Sequence, residues 1–161
     1  MISKTLYVLD ASPARTAKDL VTTYSLKSGA QRTFKPHLHP RDIIAQGAFE
    51  GKMMNDCLDE FPRSWFTQAL NTGKLSPDGP DPSINKYGTK SRQNLKEWNR
   101  KNWIIGDDER GWFQWFCRYA LGRRQPDIDT VQMKRWAAIV RFKKGRASPK
   151  VRQLLLQWSW S

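Results

Sequence analysis

Apolar positions along this chain recur mostly at helical spacing, and prolines and glycines cut the pattern into short pieces. The cleanest run is SPKVRQLLLQWSW. Val151, Leu154, Leu155 and Trp158 fall at i, i+3, i+4 and i+7 on one helix face, with Ser148 as N-cap and Pro149 at the first helical position. Trp112, Trp115, Phe116 and Tyr119 repeat that spacing, and Phe113, Cys117 and Ala120 fill the adjoining face. A helix apolar over most of its circumference is a central core helix. Asp107 or Asp108 is placed to cap it, and Gly122 to end it. Between these two runs, PDIDTVQMKRWAAIVRFKKG predicts a helix that ends at Gly145, with Met133, Trp136, Ala137 and Val140 inward.

The upstream pieces are shorter. Lys4–Asp10 reads as a strand. Ser12 and Pro13 signal a helix start, which would bury Leu20, Val21 and Tyr24, followed by a turn at KSG and an extended piece. Pro40 opens a short helix that stops at Gly47, and MMNDCLDEF continues helically. Pro62 opens another, closed by Gly73, with Trp65, Phe66 and Ala69 inward. SRQNLKEWNRKNWI is helical, with Leu95 and Trp98 on one face. Leu75–Ser91 holds Pro77, Gly79, Pro80, Pro82 and Gly88 and is irregular. The expected fold is mainly α. It is a compact helical domain over residues 1–161, with a short N-terminal strand or hairpin, one long Pro/Gly-rich loop, and residues 75–91 as a candidate subdomain hinge.

Length and composition add that the core is self-sufficient. A chain of 161 residues buries roughly two-thirds of its unfolded surface without a metal or disulfide staple. Cys57 and Cys117 have no C-x-x-C companions and read as reduced thiols. No apolar run approaches the roughly 20 residues of a membrane span, and the N-terminus lacks a signal-peptide core, so the expectation is a soluble intracellular protein with no membrane partner.

Charge changes the picture more. The net charge is +13; residues 1–85 carry 10 Lys and Arg against 9 Asp and Glu, whereas residues 86–161 carry 18 against 6. Seven of the eight tryptophans also lie in that second half. So asymmetric a field attracts a polyanion, and DNA or RNA is the partner it suits, DNA first. The expected phosphate contacts are Arg118, Arg123, Arg124, Lys134, Arg141, Lys143, Lys144, Arg146, Lys150 and Arg152. Five of these surround the turn before the last helix, where backbone N–H groups, helix dipole and side-chain charge act together. Arg118 sits among aromatics, where an unpaired guanidinium is costly. It requires a carboxylate, a carbonyl or an anionic ligand. An exposed tryptophan or Tyr87 would stack on a base.

Catalytic signatures are sparse. His37 and His39 form an H-x-H pair without a third ligand, so no metal is expected. Asp127, Asp129 and Lys134 have the residue types of a metal-dependent nuclease core but lie on a helical pattern. No P-loop, G-x-G-x-x-G or G-x-S-x-G occurs, and no cofactor is expected. NKYGTKS supports one enzymatic alternative. Tyr87 would stack on a flipped base, with Lys90, Asp107 or Asp108 as candidate catalytic residues of a base-excision glycosylase or lyase. A third alternative is an interaction protein whose basic face meets an acidic partner.

The segment from about Phe61 to Trp160, through PRSWF, NKYG, WNRKNWI, DDERGWFQWFCRYALGRR, KRW and RQLLLQW, resembles a family of basic, tryptophan-rich proteins of viral and cellular genomes. That family has no assigned activity, so the resemblance implies none here.

Overall fold

The computed structural model describes residues 9–46, 60–74, 82–87, 108, 111–139 and 148–160. Within them lie a two-stranded hairpin and five α-helices. β1 is Thr22–Ser25 and β2 is Gln31–Phe34. The helices are α1 (Pro40–Ala45), α2 (Thr67–Asn71), α3 (Trp112–Leu121), α4 (Pro126–Ile139) and α5 (Pro149–Gln157). Short 3-10 turns at Ala17–Leu20, Arg63–Trp65 and Pro82–Ile84 complete them. The mainly α expectation with a small hairpin holds.

The aromatic helix is the centre. Every residue of α3 is buried. Phe34, at the inner end of β2, meets Trp115, Phe116, Tyr119 and Trp136 edge-on, with centroids 5.1 to 6.2 Å apart. Edge-to-face pairs of this kind place a positive ring edge on a negative ring face. The polar ends of the α3 rings are satisfied inside. Trp112 Nε1 donates to the Gln132 carbonyl at 3.1 Å, Trp115 Nε1 to Asp129 Oδ1 at 2.8 Å, and the Tyr119 and Thr22 hydroxyls share a 2.6 Å bond. Cys117 is a buried thiol.

α3 ends at Gly122, whose φ is 127°. Its carbonyl accepts the N–H groups of Asp10 and Ala11, and the Ala120 carbonyl accepts that of Ala14. The chain before the first turn therefore closes the C-terminal end of α3, where helix carbonyls lack partners of their own. The cap expected at Asp107 or Asp108 is not found. Gly111 is the N-cap, at φ 87°, and its N–H donates to the Asp108 carbonyl.

The Ser12–Pro13 start signal does not open a helix. The first turn is 3-10, beginning after Thr16, whose N–H is held by Asp19 Oδ2 at 3.1 Å. The chain then extends as β1. Val-Thr-Thr-Tyr is β-branched and aromatic, and it has Gln31–Phe34 to pair with in antiparallel register. Leu20 and Tyr24 are buried as expected, but Val21 is 44% exposed.

α1 is capped by His39. The His39 ring accepts the Arg41 N–H through Nδ1, and its Nε2 lies 3.0 Å from the Ala14 carbonyl. α5 is turned relative to the expected stripe. Gln153, Leu155, Leu156 and Gln157 are buried, while Leu154 and Trp158 are half-buried. The reason is polar. Gln153 Oε1 accepts the Tyr87 N–H, and its Nε2 donates to Gln157 Oε1 at 2.9 Å. After α5, Trp158 stacks on Trp112 and Trp160 on Trp136, the latter at 4.1 Å and 8°. Ser159, at φ 60°, bonds both the N–H and the carbonyl of Leu38 through its hydroxyl.

Most of the expected strand at Lys4–Asp10 and of the irregular stretch at Leu75–Ser91, the helical continuation through Cys57 and the helix of Ser91–Ile104 lie outside the described residues.

Candidate nucleic-acid interface

The cations of the second half divide by environment. Arg118 and Arg123, expected on phosphate, are committed to carboxylates inside the molecule. Arg118 grips Glu60 with Nε at 2.6 Å and Nη2 at 2.9 Å, and reaches Asp108 with Nη1 at 2.9 Å. Arg123 holds the same Asp108 through Nη1 and Nη2 at 2.9 and 2.8 Å. Asp108 is 0% exposed and the other three are buried too. Burial disfavours the charged guanidinium of Arg118, but the hydrogen bonds and charges of Glu60 and Asp108 outweigh it and hold its pKa above the ordinary arginine value. With both oxygens bonded to guanidinium and none facing solvent, Asp108 braces Arg118 and Arg123.

Arg124 is half-buried. Its guanidinium lies 3.7 Å from the centre of the Tyr119 ring and donates to the carbonyls of Tyr119 and Arg123. Such stacking is a structural use of a delocalised cation. Arg135 stands over Trp158 at 5.4 Å and donates to Gln132 Oε1; burial pulls its pKa below the ordinary value.

A second set of cations faces outward. Lys27, Arg32 and Lys134 are exposed, and none forms an ion pair with a carboxylate among the described residues. They converge on a groove of about 450 Å³ between the hairpin and α4, lined also by Tyr24, Leu26, Ser28, Ala137 and Ala138. Among the described residues no acidic one lines it.

The hairpin register explains why the groove exists. Tyr24 pairs with Arg32 and Thr22 with Phe34, so these four side chains share one face of the sheet. That face is the one whose Phe34 enters the core. Phe34 fills the space over α3 and α4. Two residues earlier, alternation calls for another apolar side chain, and Arg32 stands there instead. The space beside α4 is left open and cationic. Tyr24 forms its wall. Its hydroxyl is buried with no hydrogen-bond partner among the described residues, and burial pushes its pKa up against the opposing charge of Arg32.

Of the other residues singled out from sequence, Arg152 is exposed on α5. Tyr87 is half-buried, with its N–H held by Gln153 and Lys86 Nζ 5.4 Å from its ring. Lys90, Asp107, Arg141, Lys143, Lys144 and Arg146 lie outside the described residues, as does the side chain of Lys150. Asp129 accepts from Trp115 Nε1 and from the Gln125 N–H, so it braces the start of α4. Among the described residues no group of three or more His, Cys, Asp or Glu side chains could hold a metal ion. His37 packs against Trp160, and both ring nitrogens of His39 are engaged by backbone. Lys27 and Arg32 were missed because they lie in the charge-balanced half. The available signal was an arginine at an inward position of an alternating strand.

Among the described residues no helix is long and apolar enough to cross a membrane. Set against protein-family models, curated proteins and solved structures, the chain matches none.

Proposed function

We propose that this protein binds nucleic acid, DNA or RNA, through the groove between the hairpin and α4. The observation that carries the reading is the convergence of Lys27, Arg32 and Lys134 on one concavity that no carboxylate of the described residues lines. The buried arginines Arg118 and Arg123 are neutralised by Glu60 and Asp108, whereas these three exposed cations form no ion pair among the described residues. The net charge of +13 supplies the long-range attraction that brings a polyanion to them. Phosphate contacts by lysine and arginine release condensed counterions, which makes such binding strong at low salt and steeply salt-dependent.

Charge reversal tests this directly. Lys27, Arg32 and Lys134 are changed together to Glu, and Lys18, Arg63 and Lys74 are changed together in a second protein. Both shift the net charge equally, and all six residues lie outside the core. Filter binding of labelled oligonucleotides at low salt should show the groove variant losing at least tenfold more affinity than the other. Equal losses would mean that only the global field matters. Absence of binding by the unaltered protein would overturn the proposal, and an acidic protein partner would then fit the basic surface better.

A further inference from the structure

The shape of the groove bears on which form of nucleic acid it takes. A duplex offers grooves that a protein helix or ribbon enters, with phosphates on the outside of a rod. Here the concavity belongs to the protein and the cations line it. A volume of about 450 Å³ lies in the range of small-molecule sites and is far too small to admit a double helix. It suits one unstacked nucleotide.

The lining is divided as a nucleotide is divided. Lys27, Arg32 and Lys134 supply charge, while Leu26, Ala137 and Ala138 supply an apolar floor on which the short side chains of α4 allow close approach. Tyr24 adds an aromatic wall. Proteins that bind single strands combine these parts, a cationic groove for the backbone and an apolar or aromatic platform for the base.

We infer that the groove seats one nucleotide of a single strand, with its phosphate among Lys27, Arg32 and Lys134 and its base against Leu26, Ala137, Ala138 and the Tyr24 wall. This rests on the nucleic-acid reading above and adds strand state and site.

The test uses the full chain and fluorescence anisotropy with a short oligodeoxynucleotide, free and annealed to its complement, at one low salt concentration. The single strand should bind about tenfold tighter than the duplex, on the order of what one stacked base contributes. Ala138→Trp fills the groove from an exposed position without altering charge, and should bring single-strand binding down to the duplex level while leaving duplex binding unchanged. Duplex binding as tight as single-strand binding, with Ala138→Trp silent, would overturn this inference and leave the nucleic-acid proposal standing. Loss of neither, because neither oligonucleotide binds, would overturn both.

Discussion

Arg118 shows how one side chain can satisfy two opposite expectations from sequence. An arginine among aromatics needs an anion, and the anion is internal: Glu60 and Asp108, at 2.6 to 2.9 Å. Arg118→Lys keeps the charge but replaces a planar fork with a single ammonium. It can serve only one of the two carboxylates well. The expected cost is about 3 kcal/mol, at the low end for breaking a buried pair. That lowers the melting temperature by about 6–12 °C in a chain of this size, at roughly 2–4 °C per kcal/mol. Oligonucleotide affinity per folded molecule should not change. Weakened binding at an unchanged melting temperature would place Arg118 on the ligand instead. His39 gives a pH dependence. The Arg41 N–H points at Nδ1, so the ring proton resides on Nε2 and faces the Ala14 carbonyl. Burial holds the His39 pKa below the ordinary value, with the Arg41 charge adding to it and the Ala14 bond and nearby Asp42 and Asp19 opposing it. The folded value therefore lies below the unfolded one of about 6.5. The neutral ring contributes fully above that pH, and the contribution is lost as pH falls through the folded value. Protonation also destroys the acceptor that caps α1. Melting temperature should fall as pH drops below about 6.5, and His39→Gln should flatten that part of the profile. An unchanged slope would show that other groups carry it.

Whole elements, too, were decided by what they meet. The hairpin formed where a helix start was signalled, because a β-branched run found a partner strand that supplies the backbone hydrogen bonds. α3 was legible as a core helix from its ring of aromatics. Its ends were less so. Gly122 had the residue type of a helix stop, but the structure adds a second constraint: a Cβ there would sit 2.1 Å from the Ala11 carbonyl oxygen. Its φ of 127° is also one that L-residues rarely adopt. Gly122→Ala must therefore push residues 10–14 off the end of α3 and break the bonds that Asp10 and Ala11 donate to it. The cost should be about 3 kcal/mol or more, combining backbone strain with the loss of two hydrogen bonds. A lower urea midpoint at unchanged slope would register it. A midpoint equal to that of the unaltered protein would mean this contact contributes nothing.

For the molecule as a whole, charge along the sequence and charge in space differ. The second half holds most of the excess, yet Arg118, Arg123, Arg124 and Arg135 are drawn inward to carboxylates, carbonyls and rings. Lys27 and Arg32, from the balanced half, join Lys134 at the groove. A count of cations therefore overstates the contacts a phosphate chain can make. With one phosphate seated among the three groove cations, log affinity should fall with log salt at a slope of about −0.7 for a single strand. Reversal of Lys27, Arg32 and Lys134 should bring the slope near zero. A slope several times steeper in the unaltered protein would show that cations outside the groove carry most of the binding.

The sequence by itself determined the helical class, the burial of the α3 aromatics, the entry of α1 at Pro40 and the surplus of positive charge. These depend on local periodicity, backbone restriction and composition, which are written residue by residue. Only the tertiary structure decided which arginines are spent internally. Glu60 lies 58 residues from Arg118, and no local pattern links them. It also decided the groove, since Arg32 faces α4 only once β1 and β2 have paired in their register. Pairing between distant segments is set by the shape and charge of both partners at once, and a single strand of sequence shows only one of them at a time.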